Sequence, residues 1–197
     1  MTQVSLETLV AGISAGRLGS FPTDTVPALA TLPEKAELIY TAKGRSQYKP
    51  LILMGSDSKQ LWDYVRGTDE ELKIWHQIAS TYWPGALTLV LPASSRIPRA
   101  MNPGDPTTIG IRVPRCKIAR SIVARTGPLA TTSANLSGQP PLMRMSEIDE
   151  QFSDVLTLAT SQFSENISFT GVPSTVVKWT GQNWQILRQG AITLASS

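Results

Sequence analysis

The stretch STVVKWTGQNWQILR, residues 174–188, carries the reading that decides the fold. Two short runs rich in β-branched and aromatic side chains flank the turn-forming tetrapeptide TGQN, the pattern of a hairpin between antiparallel strands. Upstream of it the chain alternates short apolar runs with helical spacings, the pattern of strands interleaved with helices. Interleaving alone would give a parallel sheet, and the closing hairpin adds an antiparallel part. The expected class is therefore α/β: a mixed sheet with helices packed against it.

The individual elements follow from local signals. Ser5 caps an apolar-periodic run of Leu6, Leu9, Val10 and Ile13 that Gly16 stops. RLGSFPTDTV (17–26) reads as a short strand ending in a loop, because Pro22 has no ladder donor. Helices are expected over about 33–42, 69–82, 116–125 and 146–151, and a further one over SDSKQLWDYV (56–65), where Leu61, Trp62 and Val65 have helical spacing. Further strands are expected in PLILM (50–54), WPGALTLVLPA (83–93), TTIGIRVP (107–114), the run before TTSAN (131–135), and DVLTLA (154–159).

Bulk properties exclude several classes. With 197 residues, 41% hydrophobic and 17% charged, the chain has enough apolar surface for one globular domain. No apolar run reaches the roughly 20 residues of a membrane helix, the N-terminus lacks a secretory signal pattern, and Cys116 has no second cysteine to pair with. A cytoplasmic protein is expected. One histidine and one cysteine exclude two-His and Cys-rich metal sites, so no protein-ligated metal is expected. His76, within a helical stretch, reads as incidental rather than catalytic. A net charge of +3 fits an anionic partner and equally an ordinary soluble surface.

Four strand-end segments are polar beyond what core packing requires: PTDT (22–25), AKGRSQYK (42–49), IGIRVP (109–114) and TTSANLSG (131–138). Loops at strand ends are where such sheets bind ligands. Lys43, Arg45 and Lys49 surround a glycine and either converge on a polyphosphate or form a solvated helix end. Arg112 ends an apolar strand and needs an anion there, either an internal Asp or Glu or a ligand; Arg188 is similarly placed. TTSANLSG is neither a Walker loop nor a dinucleotide fingerprint. Its hydroxyls, amide and N–H groups either cradle phosphate or form a turn network that shapes the loop.

Taken in order, FPTDTV, AKGR with KPLIL, WPGALTLVL, IGIRVP, TSANLSG, STVV and ILRQGAI resemble the YrdC family, the single-domain threonylcarbamoyl-AMP synthases, over about residues 5–192. The resemblance implies a single YrdC-like domain over 1–197, without an added C-terminal domain, and a twisted mixed sheet with a concave basic cleft. It implies formation of threonylcarbamoyl-AMP and pyrophosphate from L-threonine, bicarbonate and ATP with Mg²⁺. The product would feed N6-threonylcarbamoyladenosine formation at A37 of tRNA through a downstream threonylcarbamoyl-transferase machinery.

By matching motif, Thr25, Arg112, Thr131 and Ser174 would hold threonine, with Arg112 clamping its carboxylate. Lys43, Arg45, Lys49, Thr108, Ser133, Asn135, Pro141 and Arg188 would line the ATP side, with Lys43 and Arg45 assisting the chemistry. Relatives continue PTDTVYGL, whereas here Pro27 and Ala28 stand where Tyr and Gly are expected, and Met54 occupies a position often His. Those departures leave open a paralogue with another acceptor. The basic face also leaves open a duplex-RNA-binding or ribosome-maturation module. The loop SQFSENISFTGVP (161–173) is long and polar enough for a lid.

Overall fold

The computed structural model describes residues 3–44, 46, 48–163 and 170–194. The closing hairpin forms as its sequence implies: β9 (Thr175–Trp179) pairs antiparallel with β10 (Trp184–Arg188), with Trp184 opposite Trp179 and a register shift between Ile186 and Arg188. Before it come β1 (Gln3–Val4), α1 (Leu6–Ser14), β2 (Gly19–Phe21), β3 (Ala28–Thr31), α2 (Glu37–Lys43) and β4 (Ile52–Met54). Then follow α3 (Asp69–Tyr82), β5 (Leu87–Pro92), β6 (Thr108–Arg112), α4 (Lys117–Thr126), β7 (Leu129–Ser133), α5 (Met145–Gln151) and β8 (Leu156–Leu158).

Helix ends have identifiable causes. The Ser5 hydroxyl accepts from the Thr8 N–H at the start of α1, and Thr68 and Glu71 form a capping box at the start of α3. Gly44 ends α2 in the left-handed region, φ 54°, which a side chain would disfavour.

Among the described residues the strands form one sheet in the order β1-β8-β2-β3-β7-β4-β6-β5-β9-β10. β4 and β6, β5 and β9, and β8 with β1 and β2 are parallel pairs; the others are antiparallel. The mixed sheet expected from the hairpin is present.

Two expectations change. SDSKQLWDYV holds only a short 3₁₀ turn, Trp62–Tyr64, because the backbone after it pairs with the end of β5: Arg66 N–H donates to Pro92 O, and Val65 bridges Ala93. Sheet pairing consumes the groups a helix would use. The helix expected from residue 33 begins as a 3₁₀ turn, Pro33–Lys35, before α2. The strand β3 was not expected. Its four residues, ALAT, are all buried and so lack the alternation that marks a half-exposed strand.

Period-two alternation divides the central strands. Leu53, Leu89, Leu91, Ile109, Ile111, Ala130 and Val177 join Trp75 and Trp83 in one core. The alternate positions turn to the opposite face. There Met54 and Leu129 meet a second core with Leu9 and Ile13 of α1, Ile122 and Val123 of α4 and Ile148 of α5. Beyond these residues, toward β9 and β10, that face is left open as a cleft.

Ile111, with 0% exposure, should therefore be costly to truncate: Ile111→Ala is expected to lose about 2–5 kcal/mol in urea unfolding. Ile52→Ala, one strand over on the cleft face, should lose clearly less. Equal losses would contradict the assignment of the two faces.

Candidate functional site

The open face is a concave cavity of about 640 Å³. Its floor is the sheet. Thr131, Ile52, Gly110, Val90 and Lys178 lie in one row across five strands, each opposite the next in the ladder. Gly110 sits mid-row. A Cβ there would stand 3.4 Å from Thr88 Cγ2, 3.6 Å from Ile52 Cγ1 and 3.9 Å from Val90 Cγ2, ordinary contact distances. The strand would accept a side chain, which would then fill the middle of the cavity.

At one end of the cleft stands Arg112, 5% exposed. Its Nη2 donates to Asp24 Oδ1 at 2.9 Å, its Nη1 to Thr25 Oγ1 at 3.0 Å and its Nε to the Gly85 carbonyl at 3.0 Å. The alternatives left open by sequence thus resolve toward an internal carboxylate: Asp24, not a ligand, neutralises the buried guanidinium. Burial lowers the pKa of Arg112 and the Asp24 charge partly restores it. The same Asp24 oxygen accepts from the Arg115 N–H at 3.0 Å. Thr23 donates to the Val26 carbonyl at 2.7 Å, so its oxygen is the acceptor for the Thr25 hydroxyl. PTDT is the cradle of Arg112. A guanidinium has five donors, and the three used leave two N–H groups beside the cavity among the described residues.

Facing it from β10 is Arg188. Its Nη2 donates to the Ser174 carbonyl at 2.8 Å and to Ser174 Oγ at 3.2 Å, and Ser174 Oγ lies 2.8 Å from Thr88 Oγ1. Among the described residues Arg188 has no carboxylate in ion-pair contact. Its pKa is lowered by burial and then by the charge of Arg112. Two guanidiniums of like charge therefore share one cavity, and of the two only Arg112 is paired with a carboxylate among the described residues.

The other expected residues divide. Thr25, Lys49, Thr108, Thr131, Ser133 and Ser174 line the same cavity as Arg112 and Arg188. Lys43, Asn135 and Pro141 do not. Lys43 is buried, and its ammonium donates to the Ser133 carbonyl at 2.5 Å, to the Asn135 carbonyl and to Asn135 Oδ1 at 3.2 Å. Asn135 Nδ2 donates onward to the carbonyls of Leu136 and Gln139, and the Ser133 hydroxyl donates to Asn135 Oδ1 at 2.6 Å. For Asn135 the turn-network reading holds. Lys43 tethers the strand end that places Ser133 in the cleft.

Arg45 lies outside the described residues, as do residues 164–169 of the loop read as a lid. Ala28 and Met54 line the cavity, Pro27 does not, and His76 stacks on Trp62, away from the lining. Cys116 is buried, and burial raises its pKa, keeping the thiol neutral. Among the described residues no group of three or more His, Cys, Asp or Glu could hold a metal, and no helix is long and apolar enough to cross a membrane.

Sequence reasoning missed Asp24, Thr88, Gly110 and Lys178. A signal existed for Lys178: positions 174, 176 and 178 share one face of a strand. None existed for Thr88, whose role depends on β9 lying beside β5.

The chain matches the family model Sua5_yciO_yrdC, described as telomere recombination, over residues 11–190. It is 34% identical to a threonylcarbamoyl-AMP synthase of Pyrococcus abyssi, covering 92% of this chain and 53% of that protein. It is 33% identical to the Bacillus subtilis enzyme of that name, covering 88% and 50%. The chain thus spans about half the length of these two relatives. A match to the Halorhodospira halophila enzyme, also 33% identical, covers 72% of this chain and 74% of the relative. Among solved structures, P. abyssi Sua5 complexed with L-threonine superposes with a TM-score of 0.80 at 30% identity, covering 94% of this chain and 54% of that one. Escherichia coli YciO, at 22% identity and a TM-score of 0.75, covers 94% and 88% and shares the fold. The match along most of the chain and the shared sheet make this protein a member of the Sua5/YciO/YrdC family.

Proposed function

We propose that this chain is a threonylcarbamoyl-AMP synthase, condensing L-threonine, bicarbonate and ATP into threonylcarbamoyl-AMP and pyrophosphate. The observation that carries the proposal is the pair of guanidiniums, Arg112 and Arg188, at one cavity where, among the described residues, only Arg112 has a carboxylate in ion-pair contact. Such a cavity favours anions, and the reaction brings it two: an amino-acid carboxylate and a polyphosphate. The names of the relatives and the L-threonine in the P. abyssi Sua5 structure support the same reading.

Arg112, already pinned by Asp24 and Thr25, offers its two remaining N–H groups to the threonine carboxylate as a preset fork. The amine of threonine displaces hydroxide from bicarbonate, leaving a carbamate and one water. A carbamate oxygen then bonds to the ATP α-phosphorus, and the α–β bridging bond breaks to release pyrophosphate. The carbamate is itself an anionic nucleophile, so no side chain needs to attack or to remove a proton at that step. Magnesium enters with the nucleotide as part of the substrate and offsets phosphate charge. Lys49, Thr108, Ser133 and Arg188 line the remainder of the cleft, where the nucleotide would lie. The threonylcarbamoyl group would pass to tRNA A37 through a downstream transferase, a role that fits a cytoplasmic location.

One observation favours a second reading. Ala28 and Met54, two of the departures from the family pattern, line the cavity, so another acceptor amino acid would be selected there.

Pyrophosphate release from ATP should require both threonine and bicarbonate; release indifferent to threonine in an amino-acid panel would reject the first reading. Arg112→Ala should lose at least about 2 kcal/mol in kcat/KM for threonine, the scale of a desolvated charged hydrogen bond. Gly110→Val should unfold at the wild-type denaturant concentration or above while abolishing substrate binding, because its methyl groups would occupy the cavity floor. Retained activity in that variant would place the substrates elsewhere.

A further inference from the structure

We propose that Lys178 holds the pyrophosphate portion of the nucleotide, an inference that rests on the reading of the cleft as an ATP site. Val176 and Lys178 of β9, and Ser174 just before it, fall on one face of the chain, and all three line the cavity. Arg188 stands opposite Val176 in the hairpin, while Lys178 stands opposite Val90 in the floor row that contains Gly110. The two positions are one pleat repeat apart, about 7 Å along the strand. The Arg188 guanidinium is turned toward Ser174, so a polyphosphate running along the cleft from it would pass within reach of the long Lys178 side chain.

Lys178 marks the end of the cleft remote from Arg112. Its charge is felt by Asp105, whose carboxylate accepts from the Thr107 N–H at 3.2 Å, the Thr107 hydroxyl at 2.5 Å and the Thr108 hydroxyl at 3.1 Å. These bonds, the Thr107 hydroxyl first, hold Asp105 below the usual carboxylate range. Thr108 and Asp105 both line the cavity. Lys178 forms no ion pair among the described residues, and its stem is half-buried against the sheet. Its ammonium is thus available to a ligand in the same cavity as Arg188. The cations then serve different anions, Arg112 the amino-acid carboxylate and Arg188 with Lys178 the successive phosphates. A leaving group held at both ends can depart as a unit while its developing charge is neutralised.

The test is calorimetric titration of the wild-type chain, Lys178→Gln and Lys178→Arg with magnesium pyrophosphate, with thermal unfolding run in parallel. Lys178→Gln should bind about tenfold more weakly, as expected for one lost charge-assisted contact, and Lys178→Arg should stay within about threefold of wild type. Lys178→Gln binding like wild type would overturn the assignment of Lys178 alone, making it a counter-charge to Asp105. Equal loss in both variants would also overturn it, since shape rather than charge would then matter. A wild-type chain that binds neither pyrophosphate nor ATP would overturn the nucleotide reading together with this one.

Discussion

The site depends on one ion pair. Asp24, in the loop after β2, holds Arg112 at the end of β6, and the two side chains are 16% and 6% exposed. Breaking a buried pair strands a charge, so removing either partner would cost several kcal/mol, more than the intact pair contributes to folding. Its value lies in position. Thr25 and Gly85 bind the same guanidinium, so two separate loops converge on one planar group, and a third, through the Arg115 N–H, holds Asp24 in place. Arg112 is held before any ligand arrives, and a substrate carboxylate would meet a fork whose conformational freedom has already been lost.

Around that anchor the sheet does two kinds of work with one alternating pattern. The residues between the cleft-facing positions build a core with α3, while the cleft-facing ones supply hydroxyls, cations and a bare glycine. Few of these polar groups lack an intramolecular partner. Thr131 donates to the Ile52 carbonyl, and Thr88 pairs with Ser174. Such pairing keeps the buried hydroxyls stable without a ligand and fixes where their remaining lone pairs point.

The uncharged TTSAN segment illustrates how a charge acts at one remove. Lys43, buried beneath it, binds the Ser133 and Asn135 carbonyls rather than the cavity. A turn whose carbonyls converge would be repulsive alone, and the ammonium offsets that repulsion. Ser133 then faces the cleft in a fixed orientation. The charge that the family resemblance puts on the ATP side organises the backbone at the edge of the cleft.

Sequence by itself determined much of this protein. The hairpin at 174–188, the Ser5 cap, the helix over 69–82 and the polar strand ends were legible because each depends on residues within a few positions of one another. So were the cations of the cleft other than Lys178, and eight of the twelve expected site residues do meet in one cleft. Tertiary structure decided the rest. Whether SDSKQLWDYV would coil or pair depended on the end of β5, and the burial of β3 on both sides erased the alternation that would have revealed it. Which anion answers Arg112, and which carbonyls Lys43 binds, depended on contacts 88 and 90–92 residues apart in the chain. Local propensity records what a segment prefers; a long-range contact is fixed only when the sheet order brings its two partners together.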